Sequence, residues 1–435
     1  MHNYNGIGME KVLIIAPNFL PESVGGASRI YEMAKKIQEK YDVTVICPPP
    51  TYPFTKYKKS KHLFRKETLN GITICRIWTY QPSTPHPSFL GRFMYYTIFP
   101  ILTNLFLLRL LRGVSFVIIS TPPSSLLITS WVVRLFQRKL IIDVRDLWID
   151  ALVSLKYINK NNLMVKLIKK FEIDCWKKAD LILSNSVITI DRIKQILAKD
   201  STKIKYFPFH ADLKIFKKES IQTEKQIVYI GNFGISQALQ VLINAIPSVL
   251  SKFPDLNVKL YGGGFYESKI KNLVKELGLE KSVHFFNPVP REEIPSILSK
   301  SLVGIVPLED NEGLRSAIPT KTFEYLACSL PVLAYGRSDE LKRIIKESDA
   351  GIYVDGNSHE EIANSLVELL NDEDRLRKYS INGRKFIMNC NKLSALRLIS
   401  FKLLRCCFCS ISRSKVSRGA RIKVSGVFNS WENPV

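Results

Sequence analysis

Histidine is scarce in this chain, six in 435 residues, and none stands near the four cysteines that crowd its end, Cys390, Cys406, Cys407 and Cys409. Their spacing matches no standard zinc pattern, so a structural metal site is not expected there. The other four, Cys47, Cys75, Cys175 and Cys328, fall singly in apolar stretches and read as reduced, buried thiols of a cytosolic protein. A P-loop and the G-x-G-x-x-G dinucleotide fingerprint are both missing, which excludes a nucleotide bound in either of those ways. No recognition-helix motif or basic–aromatic strand signature is present, so nothing but charge favours a nucleic acid. No signal peptide is expected, because the apolar run at residues 12–16 is short and gives way to Pro17. Long uncharged apolar runs are missing too. The best candidate for a membrane span, residues 93–111, carries Pro100, Asn104 and Arg109, and is expected to be a helix buried in a domain or lying on a bilayer surface.

What is present is a globular composition, 46% hydrophobic, with a formal charge of +24. A basic surface of that size suits a nucleic acid, an anionic membrane face or phosphorylated ligands. The length calls for two or three domains. Apolar strand-like runs alternate with helical periodicity from KVLIIA through DVTVIC, ITICRIW, SFVIIS and KLIIDV. The alternation then restarts with QIVYI, NVKLY, SVHFF, LVGIVPL, PVLAY and AGIYV. Continuous apolar strands of this kind belong to parallel sheets covered by helices. The expected architecture is α/β, with two doubly wound Rossmann-like domains facing across a cleft. Residues 10–205 form the first, 206–226 a linker and 227–388 the second; an atypical basic tail occupies 389–435. That tail reads either as an altered reading frame or as a membrane-surface helix.

Three glycine-bearing turns follow strands: Gly25–Gly26, Gly231–Asn232–Phe233–Gly234 and Gly262–Gly263–Gly264. Each is either a tight turn or a place where backbone N–H groups and a helix dipole converge on phosphate. The stretch IPTKTFEYLACSLPVLAYG, residues 318–336, is more specific. Pro319 suits a first helical turn. Thr320 and Lys321 at that helix start could meet phosphate, and Glu324 one turn on could accept two hydroxyl hydrogen bonds. The same residues also fit a solvated helix carrying a Lys–Glu pair.

PTKTFEYLACSLPVLAYG, with VPLEDNEGLRSAI before it, resembles the nucleotide-sugar motif of the retaining glycosyltransferases of family 4, which have the GT-B fold. PNFLPESVGGASR, VRDLWID, FPFHADLKIFK and YIGNFG fall in that family's order, and the resemblance runs over residues 10–385. The nearest branch builds bacterial surface polysaccharide (O-antigen or capsule) from N-acetylated amino and deoxy sugars. The resemblance implies that Glu324 holds the donor ribose and that Thr320 and Lys321 hold its diphosphate, with Pro319, Gly231, Asn232, Gly262 and Gly264 around them. Gly25 and Gly26 would let the first domain close on the phosphate and acceptor, and residues 287–289, Val289 included, would lie against the base. Asp146 and Arg145 would stand beside the transferring sugar. It further implies metal-independent transfer without a cofactor, from a donor, UDP-linked by expectation, to a lipid-linked or polysaccharide acceptor. The protein would work in the cytoplasm at the inner face of the membrane, with no nucleic acid. Two departures bear on activity. Ser316 stands where the family has the first of two glutamates, and ISQALQ after the GNFG turn brings no basic residue to clamp the diphosphate. Arg315 is the candidate to supply that charge, and a catalytically inactive sugar-binding subunit is the alternative.

Overall fold

Apolar strand segments and amphipathic helices alternate along almost the whole chain. The computed structural model describes residues 9–399, apart from short segments at 23–24, 53, 86, 155–157, 198–202 and 210 and the side chains of 393–399. The first set of elements is β1 (Lys11–Ile15), α1 (Gly25–Ile37), β2 (Asp42–Cys47), β3 (Phe64–Leu69), β4 (Ile72–Ile77), α2 (Phe89–Leu110), β5 (Val114–Thr121), α3 (Thr129–Leu135), β6 (Lys139–Val144), α4 (Trp148–Ser154), α5 (Leu163–Lys178), β7 (Leu181–Ser184), α6 (Val187–Leu197) and β8 (Ile204–Tyr206). The second is β9 (Gln226–Asn232), α7 (Leu239–Leu250), β10 (Asn257–Gly263), α8 (Glu267–Glu276), β11 (Val283–Phe286), α9 (Ile294–Ser299), β12 (Val303–Pro307), α10 (Lys321–Ala327), β13 (Val332–Gly336), α11 (Asp339–Ser348), β14 (Gly351–Asp355), α12 (His359–Asn371) and α13 (Glu373–Ile399). Cys406, Cys407, Cys409 and most of the basic tail lie outside the described residues.

Two doubly wound sheets result. The first has strand order β3-β4-β2-β1-β5-β6-β7-β8 and the second β11-β10-β9-β12-β13-β14. The second is parallel throughout, and its strands coincide with the six apolar runs of the sequence's second half. The first is parallel except for β3, which runs antiparallel to β4. Nothing in the sequence marks Phe64–Leu69 as this strand. FRKETL has no apolar alternation because it lies at the sheet edge with both faces wet, and its charges discourage edge-to-edge pairing.

Each sheet reverses its winding direction beside its central strand, between β1 and β5 in the first lobe and between β9 and β12 in the second. Ligands in such sheets bind beyond the carboxyl ends of the strands at that reversal. Residues 207–225 carry the chain between the sheets without regular strands or helices, but Phe207, Phe209, Ala211 and Phe216 are buried, so this connection is packed.

A buried ion pair fixes the connection to the first lobe. Arg29 on α1 donates from Nη2 to Asp143 Oδ1 at 2.7 Å, and neither side chain is exposed to solvent. Ser120 Oγ donates to the other carboxylate oxygen at 2.9 Å. The guanidinium also donates to the carbonyls of Phe207 and Pro208 and lies over the rings of Phe207 and Phe209 at 4.8 and 5.0 Å. Removing one partner of such a pair leaves a buried, uncompensated charge. Arg29→Met is therefore expected to destabilise the protein by about 3–5 kcal/mol. The shift of the urea unfolding midpoint measures this, and a loss below about 1 kcal/mol would contradict it.

Candidate active site

The loops at the carboxyl ends of the two sheets meet across the cleft. Gly25 opens α1 and stands against Thr320 at the start of α10: a Cβ built at Gly25 would lie 2.4 Å from Thr320 Cγ2. A Cβ at Gly26 would lie 2.0 Å from Arg145 Nη1. These two glycines are the first two residues of a helix and not a turn, which corrects the expectation from sequence. Glycine is needed there for space, at Gly25 between the lobes and at Gly26 beside Arg145 within the first lobe, and not for backbone conformation. Farther along the cleft, Ser154 Oγ at the end of α4 donates to Asn311 Oδ1 at 3.0 Å.

In the second lobe the remaining glycine turns are more tightly used than their sequence suggests. Gly231 and Gly262 are opposite one another on β9 and β10, and a Cβ at Gly262 would lie 1.8 Å from the Gly231 carbonyl oxygen. Gly264 is pressed in the same way against Asn232 Oδ1 and the Phe233 carbonyl. The Phe233 N–H donates to Gly263 O and the Gly234 N–H to Gln237 Oε1. α7 begins only at Leu239, after a 3-10 turn. The expected convergence of free amides and a helix start directly on the GNFG turn is thus not what these glycines build. They pack the two turns together and leave room beside Gly231 for a side chain.

That side chain is Lys321. Its Nζ lies 3.7 Å from the centroid of the Tyr229 ring, and a Cβ at Gly231 would come within 2.5 Å of it. Protein surrounds the ammonium on most sides although the cleft keeps some solvent access, and burial pushes its pKa down to about 7, with Glu324 opposing. Thr320 is the N-cap residue of α10 but makes no side-chain capping bond. Pro319 precedes the cap and its carbonyl accepts from the Thr322 N–H at 3.0 Å, so it is not in the helix's first turn as sequence reasoning placed it. Glu324 is one turn on. Its carboxyl is pushed up by burial and held down first by Arg291 and then by Lys321.

Arg291 is a residue that sequence reasoning missed. Its Nε is 3.9 Å from Glu324 Oε1, too far for a hydrogen bond, and is buried without a hydrogen-bond partner. Its guanidinium lies over the Phe216 ring at 5.0 Å. It comes from the loop after β11, 33 positions before Glu324 (324 − 291), and no spacing signal connects the two. Val289, half-buried, is on the same loop.

Arg315 does not take the role suggested for it. It pairs with Glu312 at 2.5 Å and with Asp339 at 3.0 Å on the outside of the second lobe. The cation that does reach the cleft centre is Arg145, anchored by donation to the carbonyls of Thr121 at 3.0 Å and Pro122 at 2.9 Å, with Nη1 towards Gly26. Asp146 follows it and is exposed to solvent. Asp143 points away into the core towards Arg29, so its carboxylate is not available at the cleft. Of the residues named from sequence, Gly25, Gly26, Arg145, Thr320, Lys321 and Gly231 form one continuous chain of contacts, with Glu324 beside them; Ser316 and Arg315 stand outside it.

The fold so built is GT-B: two facing Rossmann-like lobes with the candidate site between them. Residues 211–386, most of the second lobe, match the family described as Glycosyl transferases group 1. A GDP-mannose-dependent alpha-(1-6)-phosphatidylinositol monomannoside mannosyltransferase from Mycolicibacterium smegmatis is 28% identical over 155 residues, 34% of this chain and 39% of that protein. Curated relatives of this kind are matched over less than half their length. Among solved structures, sucrose-phosphate synthase from Thermosynechococcus elongatus superposes with a TM-score of 0.70 at 15% identity, over 92% of this chain and 100% of that one. HepE of Anabaena, solved with UDP-glucose, gives 0.64 at 13% identity, over 90% and 99%.

The pKa of Lys321 has a consequence for stability. An unfolded lysine titrates near 10.4, so between about pH 7 and about pH 10.4 the unfolded chain binds this proton and the folded one does not. Lys321 therefore makes stability rise with pH across that window, by at most about 1.4 kcal/mol per pH unit. Urea unfolding at pH 7, 8 and 9 is expected to show this rise in the wild type and a flatter profile in Lys321→Met. Equal slopes would place the ammonium in solvent.

Proposed function

We propose that the protein is a retaining, metal-independent glycosyltransferase of the hexosyltransferase type. It moves a sugar from a nucleoside-diphosphate donor, UDP-linked, to a lipid-linked or polysaccharide acceptor. The observation that carries this reading is the contact chain from Gly25, Gly26 and Arg145 in one lobe to Thr320, Lys321 and Gly231 in the other, at the winding reversal where such sheets bind ligands. The group 1 match over the second lobe supports it. Glu324 accepts the ribose hydroxyls. Thr320 and Lys321 meet the diphosphate, and donor binding protonates Lys321 by offering its ammonium an anion. Val289 lies against the base, and Gly262 and Gly264 shape the floor. Asp146 stands beside the transferring sugar. Arg145, held by two carbonyls, supplies the fixed positive charge opposite Lys321 that Arg315 does not, and both stabilise the leaving diphosphate.

The nucleotide carried by HepE supports a uridine donor, and the phosphatidylinositol-based substrate named for the mannosyltransferase supports a lipid-linked acceptor. The sugar we assign to the donor is an N-acetylated amino or deoxy sugar, used in making cell-surface polysaccharide (O-antigen or capsule) at the inner face of the cytoplasmic membrane, without nucleic acid. On the acceptor side, a cavity of about 190 Å³ lined by Thr51, Tyr57, Lys59, Gln81 and Ser83 opens beside the carboxyl ends of β2 and β4. Its hydroxyl, amide and ammonium groups suit a sugar or a phosphate. A second reading, an inactive sugar-binding subunit, is favoured by one observation: Arg315 is committed to Glu312 and Asp339.

Release of nucleoside diphosphate from a panel of donors separates the two. Glu324→Ala leaves donor hydroxyls unpaired, a loss of about 1.5–3 kcal/mol or roughly tenfold to hundredfold in donor use. Lys321→Ala is expected to lower kcat more than donor affinity. Near-wild-type turnover in both variants would remove the site. Turnover is further expected to survive EDTA; full loss restored by Mg²⁺ would overturn the metal-independent mechanism.

A further inference from the structure

α2 is a surface helix whose outer face is mostly apolar. Tyr95, Phe99, Thr103 and Leu107 face the sheet and are buried. A surface helix ordinarily turns charge to the solvent on its other side. Here the outward residues include Phe93, Ile101, Leu105 and Leu108, each at least half exposed, and the first turn adds Phe89 and Leu90 at 82% and 63%. Apolar exposure continues onto the neighbours. α2, α3 and α5 contribute to one core cluster on the same face of the first sheet. On α3, Trp131 and Leu135 are 55% and 77% exposed, and on α5 Met164 and Leu167 are 62% and 50% exposed. Trp131 packs edge-on against Phe171 at 5.7 Å, which joins the exposed faces of α3 and α5. Contiguous exposed apolar surface on this scale marks an interaction site.

Charge selects the occupant. Residues 88–112 hold three arginines, Arg92, Arg109 and Arg112, and no carboxylate. Residues 56–66 hold six lysines and arginines and again no carboxylate. Phe64 stacks on Phe106 at 5.0 Å, so this basic segment is pinned beside α2. An apolar face with an aromatic residue and a basic rim fits a bilayer that carries anionic headgroups. α2 is long and apolar enough to cross a membrane, but its inner face forms part of the lobe's core and crossing would strip it from the sheet. We infer that the α2–α3–α5 face of the first lobe docks on an anionic bilayer, and that the acceptor reaches the cleft from that bilayer. α2 leaves the sheet after the carboxyl end of β4, so Phe89 and Leu90 are at the cleft end of this face. An acceptor headgroup then crosses only the lobe's rim while its anchor stays in the membrane.

The acceptor half of this inference rests on the transferase reading; the docking half does not. The test is flotation of the full chain with phosphatidylcholine vesicles, with and without phosphatidylglycerol. Binding is expected only with the anionic lipid, to weaken steeply with salt, and to shift the emission of Trp131 to the blue, a shift that Trp131→Phe removes. Leu105→Glu with Leu108→Glu is expected to weaken partition on the order of tenfold per leucine, with thermal stability and nucleoside-diphosphate binding unchanged. Ser at Lys56, Lys58 and Lys61 is expected to weaken it about fivefold per charge. Docking would be overturned by no vesicle binding, by binding indifferent to Leu105 and Leu108, or by a concentration-dependent dimer abolished by those changes, which would make a second copy the occupant. Retention through high salt and carbonate would overturn it in favour of a span. Vesicle binding with no nucleoside-diphosphate binding would leave the docking face standing and remove the transferase reading. Equal turnover of a soluble and a membrane-anchored acceptor in both wild type and the leucine variant would remove the delivery route alone.

Discussion

The arrangement of the cleft depends on the pairing of Arg29 with Asp143. Two charges without solvent exposure are held together only because every polar atom around them is matched: Ser120 donates to the carboxylate, and the carbonyls of Phe207 and Pro208 accept from the guanidinium. A hydrophobic pair could fill the same space at equal or lower cost. The ion pair adds direction. It links α1, which begins with Gly25 and Gly26, to β6, which leads into Arg145 and Asp146, and both to the chain segment that crosses to the second lobe. The three parts that place the first lobe's half of the site are thereby set by a single side chain. Asp143 is for the same reason turned away from the cleft, and the acidic residue left at the opening, Asp146, has arginine as its neighbour.

Charge around the site follows a second constraint, close approach. The lobes touch where Gly25 meets Thr320, and a side chain at Gly25 would hold them apart. Inside the second lobe, Gly231 gives Lys321 its place over Tyr229. An ammonium in such a crowded place loses hydration, which is why its pKa falls to about 7. Arg145 is also depressed by burial, with Asp143 and Asp146 opposing, but a guanidinium remains charged. The site therefore combines a permanent cation from one lobe with a titratable one from the other. Arg291 adds a third, whose field opposes the upward pull of burial on the Glu324 carboxyl.

Much of this was legible in the sequence, for identifiable reasons. The central strands of the second sheet, β9, β12 and β13, begin as continuous apolar runs, because a parallel strand buried on both faces has no polar side to disguise it. Lys321 and Glu324 share a short segment, and helical spacing alone puts them on one side of α10. What escaped were interactions between distant parts of the chain. Arg291 meets Glu324 across a fold that local spacing does not encode, and Arg29 reads as an ordinary helix residue until β6 brings Asp143 beneath it. β3 escaped for the opposite reason: an exposed edge strand has no hydrophobic face to show. The glycines were recognised, but their sequence left two causes open. Their sequence context matches a phosphate-binding turn, whereas Gly231, Gly262 and Gly264 are required mainly by the backbone and side chains pressed against them.

Among the described residues, polar contacts join the lobes at both ends of the cleft. At one end Ser154 donates to Asn311. At the other, Glu340 on α11 accepts from Ser186 Oγ and from the Ile188 N–H at the start of α6, both at 3.1 Å. The Glu340 carboxylate is fully buried and also paired with Arg343, whose Nη2 donates to Tyr206 at 3.2 Å. A charged group so enclosed is costly to separate from its partners, while the Ser154–Asn311 bond is a single neutral one that water can replace at small cost. Between those ends Gly25 and Thr320 stand so close that a Cβ at Gly25 would lie 2.4 Å from Thr320 Cγ2. Under the proposed transferase reading, a diphosphate bound there would have Arg145 and Lys321 on opposite sides, in a crowded cleft where charges act most strongly.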